Sequence, residues 1–329
     1  MFRRPLDAYR GTGADPPFCD PARAHDTAME GYYWRVVDAE GGSVVVVLCG
    51  VCRDAAGPWA TVALAAHPGV FTRHALVTPA AASRDSFGAR AADLLRGSAD
   101  DLRVHLGEDA WVDLRLRSVL RWPGRVFGAL GPAHAVPGLG QYWHPVVLTA
   151  SAHGEACLGG VPRRLDGAAA YAEKNWGPGF PARWWWGHAD SFPGGDATVA
   201  FAGGRLGLAG HVLSPTAVVV RLGTRVLRFV PPLARLRAAA TPRTWQVRGR
   251  SLGHAVEIEG EASKGEPHLL PVPDVAARRV DMRSRQYLAG VVRLRVCRDG
   301  RVLFEGESPL AGLELGAPAI NPSGHASVW

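Results

Sequence analysis

Lysine is almost absent from this chain of 329 residues, although the chain is basic. It occurs only as Lys174 and Lys264, so arginine carries nearly all of the formal charge of +7. The chain has no run of five or more basic residues, whereas nucleic-acid-binding proteins present runs or stripes of basic residues. The distribution of charge therefore argues against nucleic acid as a partner.

Long apolar segments are missing as well. The longest apolar run, residues 44–51, is far too short to span a bilayer. The N-terminal residues are basic but have no apolar segment of the kind that a secretory signal requires. We therefore expect a cytoplasmic protein, which an apolar substrate could bring into peripheral contact with a membrane.

Several motifs of metal and nucleophile chemistry are also absent. The five cysteines include one C-x-x-C pair, Cys49 and Cys52, but no second pair completes a zinc site, so buried free thiols are expected. The chain has no H-E-x-x-H helix, no G-x-S-x-G nucleophile elbow and no aspartate-rich D-D-x-x-D cluster. The absence of the aspartate-rich cluster argues against metal-triggered ionisation of a diphosphate.

Glycine (40 residues) and proline (25 residues) divide the sequence into short alternating runs that are typical of strands and hairpins. The pattern predicts hairpins over 102–116, 216–230, 245–261 and 292–304, the last with an Asp299-Gly300 turn. One helix is predicted over 84–95, and the tail from residue 316 is expected to be extended or disordered. A loop-like stretch at 154–167 predicts two domains, 1–163 and 164–329, in a mainly β fold.

The densest cluster of tryptophan lies at 176–186, where four of the eleven tryptophans occur, and it is followed by His188 and Asp190. If 183–190 is a strand, Trp184, Trp186, His188 and Asp190 share one face, because side chains alternate across a strand. Such a face suits an apolar substrate that is protonated and then held as a carbocation. The alternative is core packing, the usual role of tryptophan, with a structural Asp–His pair at the strand end.

These segments resemble tocopherol cyclases in order along the chain. The matching stretches are M-E-G-Y-Y-W-R-V-V (29–37), Y-A-E-K-N-W-G with G-F-P (171–181), W-W-W-G-H-A-D (184–190), H-A-V-E-I-E-G (254–260) and residues 306–316. The resemblance implies two lipocalin-like β-barrel or sandwich domains packed around an apolar pocket. It also implies relatives that act on prenyl chains, including carotenoid 1,2-hydratases, and a reaction that needs no metal and no organic cofactor.

The strand face described above and the resemblance together give a set of candidate pocket residues. The catalytic candidates are Asp190 as a neutral acid, raised in pKa by an apolar surround, and His188 as its relay or as the donor itself. His188 and Asp190 stand where the family has glutamine and asparagine, so the substrate stays open. The candidate substrate-binding residues are Tyr32, Trp34, Trp143, His144, Trp176, Trp184, Trp186, Glu30 and Glu173; for the two glutamates, a second acid or base and a structural ion pair are both open.

Three functions compete at this stage. The first is a cofactor-independent cyclase that protonates a prenylated phenol, a quinol or another isoprenoid. The second is a hydratase that delivers water to the same cation. The third is a carrier of lipids or polyenes that performs no chemistry.

Overall fold

The computed structural model describes residues 5–124, 126–208 and 211–316. The predicted tail after Gly316 lies outside these residues. A short helix, α1 (Pro5–Arg10), precedes the strands, and a 3₁₀ turn spans Gly131–Ala135. Among the described residues, no helix is both long enough and apolar enough to cross a membrane.

The first half of the chain forms an antiparallel sheet that contains twelve strands within the described residues, in the order β4-β3-β2-β1-β12-β10-β9-β8-β7-β6-β5, with β11 paired to β10. The strands are β1 (Met29–Asp38), β2 (Ser43–Asp54), β3 (Gly57–His67), β4 (Phe71–Val77), β5 (Ala80–Ala82), β6 (Gly88–Ala91), β7 (Leu95–Ser98), β8 (Asp101–His105), β9 (Ala110–Arg121), β10 (Tyr142–Leu158), β11 (Val161–Arg164) and β12 (Ala168–Gly177). Strands β5 and β6 contact β2 and β3, so the sheet curls into a nearly closed barrel.

The second half forms another curled sheet, whose order over the described residues is β18-β17-β14-β13-β24-β23-β21-β20-β19, with β22 paired to β23. Its strands and an accompanying hairpin are β13 (Trp184–Ala189), β14 (Ala197–Gly204), the hairpin β15 (Leu206–Leu208) and β16 (His211–Leu213), β17 (Thr216–Leu222), β18 (Arg225–Phe229), β19 (Arg235–Ala240), β20 (Thr244–Ser251), β21 (His254–Glu261), β22 (His268–Asp274), β23 (Arg279–Arg298) and β24 (Arg301–Gly316). The chain is therefore mainly β, with two lipocalin-like barrels, as predicted.

Three apolar clusters explain why several strands are hydrophobic on both faces. On β1, Tyr32 and Trp34 point into the core of the first barrel, whereas Tyr33 and Val37 join a cluster between the barrels. That middle cluster also takes Trp186 from β13 and Leu288 from β23. A strand buried on both faces reads as a continuous apolar run, which accounts for the valine-rich stretch in β2.

The four predicted hairpins are confirmed as the pairs β8–β9, β17–β18, β20–β21 and β23–β24. The predicted helix over 84–95 is wrong, because these residues form β6, a turn and β7. Ala91 pairs with Leu95 across that turn, and Ala92 has a φ of 45°. The left-handed backbone at Ala92 cannot continue a right-handed helix.

The two sheets divide between Gly177 and Trp184. Strand β12 follows the predicted domain boundary at 163/164 but pairs with β1 and β10 in the middle of the first sheet. The first sheet therefore takes one of its central strands from residues beyond that boundary. Since β12 carries Glu173 and β13 follows it directly, the short segment between the sheets places both strands at the contact between the barrels.

Candidate active site

A cavity of about 310 Å³ lies between the two barrels and is lined mostly by apolar groups. The first sheet contributes residues of β1, β2, β3, β10 and β12, and the second contributes residues of β13, β14, β17, β22, β23 and β24. Leu206 and Leu213 of the hairpin β15–β16 also line it. A concave, largely apolar pocket at a domain interface that holds a few polar groups is the usual form of a small-molecule site.

Strand β13 places its tryptophans as the alternation of side chains requires. Trp186 belongs to the apolar cluster between the barrels, with Tyr33 and Trp143, whereas Ala189 belongs to the core of the second barrel. Trp184 and Trp186 line the cavity. Trp185 also reaches the cavity, although it packs against the second barrel and donates its indole N–H to Thr216 Oγ1 over 3.2 Å.

Glu173 on β12 is the most constrained carboxyl group of the cavity. Its Oε2 accepts three hydrogen bonds: from Trp143 Nε1 at 2.8 Å, from Trp186 Nε1 at 2.9 Å and from the Tyr171 hydroxyl at 2.6 Å. Only 4% of its surface is exposed. Burial raises the pKa of Glu173 from 4.5 to about 7, although the three donors oppose that rise and lower the pKa.

The three donors also decide which oxygen of Glu173 carries the proton of the neutral acid. An indole N–H can donate a hydrogen bond but cannot accept one. Oε2 therefore stays an acceptor, and the proton resides on Oε1, to which the described residues donate no hydrogen bond. Since Glu173 lines the cavity, a neutral Glu173 presents an undissociated acid within an apolar chamber.

Glu314 on β24 is the second carboxyl group that lines the cavity. Trp184 Nε1 donates to its Oε1, and Gln286 Nε2 donates to its Oε2 over 2.8 Å. Burial raises the pKa of Glu314, while its hydrogen-bond donors lower it. Negative charge on Glu314 in turn raises the pKa of Glu173. A charged Glu314 therefore favours the neutral form of Glu173.

The predicted catalytic pair, His188 and Asp190, does not line the cavity. His188 is fully buried and stacks on Tyr171, with ring centroids 3.9 Å apart. Burial, followed by the charge of Arg35, lowers the pKa of His188 well below its ordinary value, so the ring stays neutral. Asp190 Oδ1 lies 3.9 Å from Arg35 Nη1 and accepts a hydrogen bond from Ser191. Burial raises the pKa of Asp190, and Arg35 opposes the rise.

The structure divides the predicted substrate-binding residues into two groups. Tyr32, Trp143, Trp184, Trp186 and Glu173 line the cavity. The others are buried elsewhere and are described in turn below.

Trp34 packs inside the first barrel and donates to the carbonyl of Ser98 over 2.8 Å. Trp176 stacks on His25, with ring centroids 4.2 Å apart, and donates to the carbonyl of Gly13. His144 is buried, and its Nδ1 accepts the N–H of Ala129 over 3.2 Å.

Glu30 forms structural ion pairs, which is one of the two alternatives that the sequence left open. It forms ion pairs with Lys174 at 2.7 Å and with Arg53 at 2.8 Å, and it accepts the N–H of His25. Burial raises the pKa of Glu30, but Lys174 and Arg53 more than offset this, so its pKa is lowered overall. This ionised cluster fixes the segment before β1 to β12.

Sequence reasoning missed Glu314, Tyr33 and Asn175, which also line the cavity. Glu314 does carry a signal, because a single acidic residue between Leu313 and Leu315 is unusual in a buried strand. Asn175 lies within the matched motif, but it is uncharged, so nothing in the sequence distinguishes it as a site residue. Among the described residues, no group of three or more His, Cys, Asp or Glu side chains could hold a metal ion.

Comparison with known proteins supports the resemblance. A model of the tocopherol cyclase-like family matches residues 137–317. The probable chloroplastic tocopherol cyclase of Oryza sativa subsp. japonica is 30% identical over 164 residues, which cover 46% of this chain and 34% of the relative. The chloroplastic tocopherol cyclase of Zea mays is 26% identical over 193 residues, which cover 55% of this chain and 40% of the relative. The matched region thus spans well under half of either relative.

Solved structures share the fold. Kievitone hydratase from Nectria haematococca superimposes with a TM-score of 0.55 at 10% identity, covering 93% of this chain and 95% of that protein. CghA with Sch210972 superimposes with a TM-score of 0.56 at 12% identity and covers 89% of both chains. The two likenesses confirm the arrangement of two barrels. Since the family model covers more than half of its residues, the chain belongs to the tocopherol cyclase-like family.

Proposed function

We propose that this protein is a cofactor-independent enzyme that protonates a double bond of a prenylated phenol or quinol, or of another isoprenoid, and closes a ring. The observation that carries the proposal is a pair of carboxyl groups in one apolar cavity, the buried Glu173 and the partly buried Glu314. An alkene is a weak base, so its protonation needs an undissociated acid that is shielded from water. Family membership supports the same reaction class.

Glu173 is the proposed acid. The proton on its Oε1 passes to the less substituted carbon of the double bond, and a tertiary cation forms on the neighbouring carbon. The negative charge left on Glu173 is stabilised by the N–H groups of Trp143 and Trp186 and by the hydroxyl of Tyr171. Because these donors are held in place before the reaction, they stabilise the developing carboxylate without reorganisation.

The cation is then captured within the substrate. The phenol oxygen forms a bond to the cationic carbon and releases its proton, for which Glu314 is the proposed acceptor. The faces of the cavity tryptophans stabilise the cation in the meantime, each by about 1–2 kcal/mol when desolvated. Product and substrate then have the same mass. The proton gained by Glu314 returns to Glu173, directly or through solvent when the product leaves, and this restores both groups for the next turnover.

His188 and Asp190 support the acid from behind in this proposal. His188 stacks on Tyr171, whose hydroxyl donates to Glu173, so the imidazole positions one of the three donors. Asp190 faces Arg35, whose guanidinium donates to the carbonyl of Leu288 over 2.9 Å. His188 thus packs β13 against β12, and Asp190 ties the end of β13 to Arg35 on β1.

The experiment is incubation of the purified protein with a geranylgeranylated hydroquinone in water enriched in ¹⁸O. A cyclase yields a product of unchanged mass without ¹⁸O, whereas a hydratase yields a product heavier by one labelled water. Glu173→Gln should abolish conversion, and Glu259→Gln, at an exposed position of β21, should not. Tight binding of the probe without conversion by the native protein would overturn the proposal in favour of a carrier.

A further inference from the structure

One row of residues crosses the first sheet beneath the cavity and contains two adjacent glycines. Thr61 on β3 pairs with Gly50 on β2, Gly50 with Gly31 on β1, and Gly31 with Asn175 on β12. Because directly paired residues point to the same face of a sheet, all four face the space between the barrels. All four also line the cavity.

Gly31 gives the side chain of Asn175 its place. A Cβ atom at position 31 would lie 2.6 Å from Asn175 Oδ1 and 2.9 Å from Nδ2, so the amide lies against the bare backbone of this glycine. Gln141 Nε2 donates to Asn175 Oδ1 over 3.2 Å. The amide is therefore fixed by its packing against Gly31 and by the hydrogen bond from Gln141. Its Nδ2 group remains a donor for which the described residues supply no acceptor.

Asn175 stands beside the proposed acid. It lies two positions after Glu173 on β12, so the two side chains share a face and are separated by about 7 Å along the strand. Glu173 is buried, whereas Asn175 is partly accessible from the cavity. A ligand that reaches Glu173 with a carbon–carbon double bond can therefore place an oxygen atom at Asn175.

The charge of the cavity restricts which oxygen that can be. Among the described residues that line it there is no arginine and no lysine, but there are two carboxyl groups. A carboxylate or phosphate would lose its hydration without gaining a cationic partner, which costs several kcal/mol. A neutral hydroxyl or carbonyl oxygen needs only one donor.

We infer that Asn175, seated on Gly31 and oriented by Gln141, is the subsite that recognises a neutral oxygen of the ligand's head group, a phenol hydroxyl or a carbonyl. The inference names the substrate class of the proposed function and rests on it for the double bond at Glu173. The subsite itself is a binding site and can be tested without turnover.

The test compares the dissociation constants of two probes, a prenylated hydroquinone and the same prenylated benzene without its hydroxyl groups. One hydrogen bond from the amide should make the native protein prefer the hydroquinone by about tenfold. Asn175→Leu keeps the branched shape but can neither donate nor accept a hydrogen bond, so it should abolish the preference, with hydrocarbon binding unchanged within about threefold. Gly31→Ala should abolish it too, because the new Cβ displaces the amide.

Gly50→Ala is the matched control. Its Cβ would meet Thr61 Cγ2 at 3.1 Å and Pro273 Cγ at 3.4 Å, so it narrows the same cavity without touching the amide, and the preference should survive. A preference that persists in Asn175→Leu, or an equal loss for both probes, would overturn the inference. If the native protein prefers the hydroquinone but does not convert it, the proposed function is wrong and the subsite is supported. If it converts the hydroquinone but shows no preference between the probes, only the subsite is wrong.

Discussion

Replacing Glu173 by glutamine tests the proposed acid most directly, because it removes the acidic proton and leaves the surrounding contacts in place. The amide of glutamine can still accept from Trp143, Trp186 and Tyr171, so the cavity keeps its shape. Only the transferable proton is lost. Since a positioned general acid accelerates a reaction by about 10²–10⁴-fold, we expect kcat to fall by at least that factor.

The same substitution has a stability consequence whose size follows from the structure. Glu173 has a pKa of about 7 in the folded chain, against 4.5 for an ordinary glutamate. At about 1.4 kcal/mol per pH unit, this difference corresponds to about 3 kcal/mol. Between pH 4.5 and 7 the unfolded chain releases this proton and the folded chain keeps it, so the native protein loses that stability as the pH rises.

The Glu173→Gln variant cannot lose this proton. Its free energy of unfolding relative to the native protein should therefore rise by about 3 kcal/mol from pH 4.5 to 8, with nearly all of the change below pH 7. Denaturant unfolding at a series of pH values measures the difference, and Glu259→Gln should track the native protein throughout. A Glu173→Gln variant whose relative stability does not change with pH would refute the claim that Glu173 is a neutral acid in the folded chain.

Three further predictions concern the groups around the acid. Tyr171→Phe removes a donor that favours the carboxylate, so the upper limit of the pH–rate profile should move up by about one pH unit. Glu314→Gln removes a negative charge that raises the pKa of Glu173, so the upper limit in any residual turnover should move down instead. His188→Phe and Asp190→Asn should each retain kcat within about tenfold, because neither residue lines the cavity. A loss of kcat as large as that of Glu173→Gln would indicate instead that the Asp190–His188 pair supplies the acid.

Much of the fold could be predicted from local sequence alone. Alternating apolar residues and a turn such as Asp299-Gly300 fix a hairpin without help from the rest of the chain, and the predicted pairs are present. The error at 84–95 has a local cause: the apolar spacing fits a helix, but Ala92 takes a left-handed backbone that alanine rarely adopts. The placement of β12 in the first sheet is a long-range pairing with β1, which no local pattern encodes.

The candidate site was predictable only in part, for a related reason. The alternation of side chains correctly places Trp184 and Trp186 on the cavity side of β13. It could not show that the following His188 stacks on Tyr171 or that Asp190 faces Arg35, because both contacts depend on how β13 packs against β12 and β1. Glu173 acquires its role from Trp143 and Trp186, which lie on two other strands. A pKa set by such contacts is a property of the assembled barrels.

Infrared difference spectroscopy of the titrating carboxyl groups tests the central claim most directly. The carbonyl stretch of a neutral carboxylic acid is distinct from the bands of a carboxylate, and Glu173→Gln identifies the contribution of Glu173. We predict a neutral-acid band that persists at pH 6, disappears with a midpoint near pH 7 and is missing from Glu173→Gln. A Glu173 signal that is fully carboxylate by pH 6 would contradict the account.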